Sequence, residues 1–79
     1  MDTPPFARHS DETAVIYSIR VRRKTGEWQT ELTIRYGYAP KRGTLIETTL
    51  HDEAVKARVT NTRRNPSREP AVEVHAEEI

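Results

Sequence analysis

The chain predicts an all-β, mainly antiparallel domain, with about five short strands in a twisted sheet or small open barrel. Three observations carry that expectation. Residues 13–38 alternate apolar and polar side chains on both sides of Thr25-Gly26, the period of two expected of half-buried strands. Segments 39–43 and 63–70 collect proline, glycine and asparagine, residues that punctuate regular structure with turns. A length of 79 residues, 34% apolar and 32% charged, leaves material for one thin core.

Taken in order, residues 1–12 hold two prolines and three acids and read as a disordered arm. In the first strand Val15, Tyr17, Ile19 and Val21 share a face, with Ser18, Arg20, Arg22 and Lys24 on the other. In the returning arm Trp28, Thr30, Leu32, Ile34, Tyr36 and Tyr38 oppose Gln29, Glu31, Thr33, Arg35 and Gly37. Matching the two apolar faces calls for a loop of two residues (Thr25, Gly26) or four (Lys24 to Glu27). Val21 then faces Thr30, Ile19 faces Leu32, Tyr17 faces Ile34 and Val15 faces Tyr36, each pair contributing about 0.2–1 kcal/mol. The polar faces would join Arg20 to Glu31, Lys24 to Glu27 and Arg22 to Gln29. Tyr36 and Tyr38 are thereby read as core residues rather than as a base-stacking platform.

Pro40 and Gly43 mark a turn, and 44–50, rich in threonine, reads as a third strand. Segment 51–62 is contested. Thr49 and Asp52 have the spacing of a helix capping box, giving a β-β-β-α-β order if 50–60 is helical. A helix would expose Val55 and Val59, whereas a strand lines up Val55, Ala57 and Val59 on one face, and the strand is preferred. Segment 63–70 is a loop and 71–76 a last strand, so the folded domain is expected over 13–76 with a short tail at 77–79. Five short strands joined by tight turns are compatible with small barrels of SH3-like or OB-like architecture, an analogy of shape that implies no function.

Net charge is only +1, but it is unevenly spread. Segment 20–42 has a net +5, with Arg22, Arg23, Lys24, Lys41 and Arg42 among its cations, and 56–68 has another +5, with Arg63, Arg64 and Arg68. Segments 43–55 and 69–79 carry −3 and −4. Two readings follow. Basic segments merging on one concave face would contact phosphates, with Trp28 stacking a base. Acidic strands interleaved between basic ones would instead give charge-paired faces suited to a protein partner.

Several chemistries lack their residues. There is no cysteine, and His9, His51 and His75 lack the spacing of a zinc pair. The three glycines, Gly26, Gly37 and Gly43, form no phosphate loop, and no serine sits in a nucleophile elbow. No enzyme activity, catalytic residue, metal or cofactor is therefore expected. Without an apolar leader or an apolar run of membrane-spanning length, the expectation is a cytoplasmic protein with no membrane or small-molecule partner. The core is thin and unstapled, so self-association or a protein partner is expected to help stabilise it. The function expected is a small protein-interaction module, an adaptor, inhibitor or subunit, binding through the 13–38 hairpin, a sheet edge or its charged faces. The alternative is a nucleic-acid-binding β-module using 20–42 and 56–68. In either case the contact residues would come from Arg22, Arg23, Lys24, Trp28, Lys41, Arg42, Arg63, Arg64 and Arg68.

Overall fold

Two tight turns decide which side chains are buried. The computed structural model describes residues 13–79, so the expected arm at 1–12 lies outside the described residues. Lys24-Thr25-Gly26 closes the first hairpin as a three-residue loop. The Arg23 N–H donates to the Glu27 carbonyl at 2.7 Å and the Gly26 N–H to the Arg23 carbonyl at 2.8 Å. Gly26 has φ 91°, the left-handed backbone this hairpin class requires at its third loop position, which glycine adopts without a Cβ penalty.

The loop joins β1 (Val15–Arg22) to β2 (Trp28–Thr30). Arg22 lies opposite Trp28, Val21 opposite Gln29 and Arg20 opposite Thr30. The expected register is therefore corrected by one residue, which in a strand exchanges the two faces. After Thr30 the chain bends, and β3 (Arg35–Gly37) resumes along the same edge of β1. There Tyr17 lies opposite Arg35 and Ile16 opposite Tyr36. The register moves by two residues between β2 and β3, so even-numbered side chains stay on one face throughout. That face is outside: Leu32 is 91% exposed, Tyr36 76% and Tyr38 71%. The expected core role of Leu32, Ile34, Tyr36 and Tyr38 is overturned.

The contested segment is a strand. β4 (Leu45–Leu50) and β5 (Glu53–Arg64) form an antiparallel hairpin, with Val55, Ala57 and Val59 buried as the alternation requires. An extra residue, Thr60, sits between the pairs Val59–Ala76 and Asn61–His75, a bulge that bends β5. β6 (Val72–Glu78) pairs antiparallel with β5 and parallel with β1, giving the order β2-β1-β6-β5-β4 with β3 also beside β1. The sheet is thus mixed, and β6 continues two residues past the expected strand end. Its concave face carries the core, where Ile19, Val21, Leu50, Val59 and Val74 are the largest fully enclosed side chains. The sheet curls into a half-barrel. Across its opening the Arg35 Nη2 donates to the Glu47 carbonyl at 2.9 Å, and the Thr48 hydroxyl donates to the Glu31 carboxylate.

Leu50 pairs with Glu53, so His51 and Asp52 form a two-residue turn, with φ 49° and 66°. Left-handed backbone strains most residues with a Cβ. Asp52→Gly should stabilise the domain by about 0.5–1 kcal/mol, a rise of roughly 2–8 °C in Tm. A calorimetric scan showing no rise would contradict the turn geometry.

Candidate interaction surface

The convex face is assembled from alternate residues of neighbouring strands. β1 supplies Ile16, Ser18, Arg20 and Arg22. β2 supplies Trp28 and Thr30, and β6 supplies Glu73, His75 and Glu77. Across the sheet Thr30, Arg20, His75 and Asn61 stand in one row, and Trp28, Arg22, Glu77 and Arg58 in another. The acidic strand β6 therefore lies between the basic strands β1 and β5. Arg22 Nη1 approaches Glu77 Oε1 at 3.8 Å and Arg20 Nη1 approaches Glu73 Oε1 at 3.8 Å. His75 Nε2 lies 2.7 Å from Glu73 Oε1. That hydrogen bond, reinforced by the charges of Arg20 and Arg68 and opposed by burial, holds the Glu73 carboxyl below its ordinary value. Trp28 packs its ring 5.2 Å from the His75 ring, and the Arg20 guanidinium carbon lies 5.5 Å from the Trp28 centroid.

Arg23 belongs to the other face. Its guanidinium donates to Gln29 Oε1 at 2.6 Å, Glu53 Oε1 at 2.7 Å and Glu78 Oε1 at 2.9 Å. The bonds to Glu53 and Glu78 raise the Arg23 pKa, and the one from Arg23 lowers that of Glu78. Arg23 thus closes one end of the core, and Glu31 and Arg35 close the opening of the half-barrel. Arg35 grips the Glu31 carboxylate through two hydrogen bonds, at 2.8 and 2.7 Å. The expected pairing of Arg20 with Glu31 is replaced by Arg20 with Glu73 and Arg35 with Glu31.

The remaining basic candidates separate. Lys24 is exposed at the hairpin tip, and Lys41 and Arg42 are exposed in the turn before β4. Arg63, Arg64 and Arg68 gather with Arg20, Glu73 and His75 around a cleft of about 340 Å³. Asn65 shapes that corner: its side-chain carbonyl accepts the Ser67 N–H at 3.2 Å and the Ser67 hydroxyl at 2.6 Å. The Arg68 N–H donates to the Asn65 carbonyl at 3.0 Å, and the Arg68 side chain turns back to Glu73 Oε2 at 3.3 Å. Arg20, Glu73 and His75 escaped the sequence reading because only the long-range pairing of β1 with β6 brings them together.

The second feature of this surface is apolar. Ile16, Leu32, Ile34, Tyr36 and Tyr38 are all more than half exposed, and they cluster in or beside the arm that flanks β1. The outer edges of β2 and β3 have no strand partner among the described residues. Single exposed apolar residues are ordinary, whereas a concentration of them marks a contact surface. Among the described residues no group of three or more His, Asp or Glu side chains is placed to hold a metal ion, and no helix is long and apolar enough to cross a membrane. No family model, curated protein or solved structure matches the chain.

Proposed function

We propose that this chain is a small protein-interaction module, an adaptor, inhibitor or subunit, whose partner docks on the arm formed by residues 28–38. The observation that carries this reading is the apolar row Leu32, Ile34, Tyr36 and Tyr38, turned outward beside Ile16 on a sheet edge that has no strand partner among the described residues. An open edge offers backbone hydrogen bonds to an added strand, and alternate side chains supply selectivity. Tyrosine also provides a large contact area with little conformational freedom to lose. The interleaving of acidic β6 between basic β1 and β5 supports a protein partner over a nucleic acid. A nucleic-acid backbone needs a continuous basic track, whereas here Arg22 and Arg23 are already engaged by Glu77, Glu53 and Glu78.

The test places a photo-crosslinking amino acid at position 36 and, in a second protein, at position 56 on β5. Position 36 should give a discrete protein adduct in the expressing cell and position 56 none. Adding Ile34→Asp should remove that adduct while the thermal midpoint moves by less than roughly 0.5 kcal/mol equivalent, as for other exposed sites. Equal adducts at both positions, or none at 36, would defeat the proposal.

A further inference from the structure

We infer that the cleft between Arg20, Arg63, Arg64 and Arg68 is an oxyanion site that receives a phosphoryl group carried on a peptide segment of the protein partner. This deepens the interaction reading and rests on it. The cleft is lined by four arginines and one acidic residue, Glu73. Arg63 lies opposite Glu73 on the same face, and Arg64 follows it at the end of β5, opposite Val72. Glu73 is shared by Arg20 at 3.8 Å, Arg68 at 3.3 Å and His75 at 2.7 Å. Arg63 and Arg64 have no ion-pair or hydrogen-bond partner for their side chains among the described residues. Two of the arginines at this corner are therefore unengaged, and with four arginines against one carboxylate the local charge is positive. A phosphoryl group brings close to two negative charges and three acceptor oxygens, which suits several planar donor forks at once.

The same geometry disfavours a nucleic-acid strand. The unengaged arginines, Arg63 and Arg64, stand beside one hollow instead of extending a line, and the β6 carboxylates Glu73 and Glu77 flank the path toward Arg22. It favours a peptide because the cleft shares Arg20, Arg68, Pro70 and Glu73 with a neighbouring hollow that reaches Ser18, Thr30 and Ile34. An extended segment can hold its phosphoryl group among the arginines while an apolar side chain lies on Ile34, within the exposed apolar row.

The full chain, isotopically labelled, is titrated with inorganic phosphate, with free phosphoserine and with a decapeptide bearing a central phosphoserine flanked by valines. The unphosphorylated decapeptide and a single-stranded oligonucleotide are run alongside. Phosphate should shift the amides of Arg63, Arg64, Arg68 and His75 saturably. The phosphopeptide should bind about tenfold or more tightly than phosphate or free phosphoserine. Arg63→Ala with Arg64→Ala, both at exposed positions, should weaken the phosphopeptide by a similar factor. Ile34→Asp should weaken the peptide and leave phosphate unchanged.

Absence of saturable shifts, equal binding of the unphosphorylated peptide, or tighter binding of the oligonucleotide would overturn the inference. So would a phosphopeptide no better than free phosphoserine, since the site would then serve a small phosphate ester. Failure of these titrations with the position-36 crosslink intact removes this inference alone. Loss of the crosslink with saturable phosphate shifts retained removes the interaction reading and the peptide assignment, and leaves a phosphate site.

Discussion

Truncating Ile19 to alanine should cost about 2–5 kcal/mol, whereas the same change at Leu32 should stay within roughly 0.5 kcal/mol. Ile19 is fully enclosed on the concave face between β2 and β6, and Leu32 is almost entirely in solvent. The contrast follows from backbone pairing: the Glu31 N–H donates to the Ile19 carbonyl at 2.8 Å, which puts Glu31, not Leu32, beside Ile19. Urea titration of both variants reads the difference directly. A domain of this size has a total stability of order 4–12 kcal/mol, so the Ile19 variant should lose a large part of it. Equal losses at both positions would mean that the two side chains face each other after all, and the burial pattern described here would be wrong.

The second large effect lies at the opening of the half-barrel. Glu31 is 6% exposed, although its carboxylate carries a formal charge. Burial favours its neutral form, but the hydrogen bonds from Arg35 and Thr48, with the Arg35 charge, outweigh burial and hold its pKa below the ordinary 4.5. Glu31→Gln leaves Arg35 and Thr48 without their anion and should cost about 1–3 kcal/mol. The lower part of that range is favoured because the Arg35 side chain is 34% exposed and water screens the pair.

A depressed carboxylate pKa contributes stability that is complete above the unfolded value and disappears as pH falls through the folded one. Glu73 and Glu78 are shifted in the same direction. The parent chain should therefore lose stability below about pH 4.5, and the gap between it and Glu31→Gln should narrow as the medium is acidified. Urea midpoints that run parallel from neutral to strongly acid conditions would show that Glu31 is not held ionised by Arg35.

Much of the fold can be read locally. Gly26 and the His51-Asp52 turn occupy hairpin corners, and the odd positions 55, 57 and 59 and even positions 72, 74 and 76 point to the core as their alternation requires. The first hairpin misleads because alternation identifies two faces without saying which is buried. Leu32, Ile34, Tyr36 and Tyr38 are the larger apolar set, yet Gln29, Glu31 and Arg35 take the inner side. They do so because Arg23, Thr48 and each other satisfy their polar atoms, which removes much of the penalty for enclosing them. The glycine at the third loop position was the available signal, since a three-residue loop of this class forces that register. The site was half legible: Arg63, Arg64, Arg68 and Trp28 stand out by composition. Their convergence with Arg20, Glu73 and His75 depends on a parallel pairing between the first and last strands, for which no local pattern exists.

That pairing makes β6 the seam of the molecule. Among the described residues the hairpin of β1 to β3 and the hairpin of β4 and β5 are joined in the sheet only through β6, which lies between β1 and β5. Neither half has a completed sheet until Val72–Glu78 threads between them, so assembly must close a loop spanning most of the chain before the core can seal. Such topology makes for slow folding, and it ties the integrity of the whole domain to seven residues near its carboxyl end.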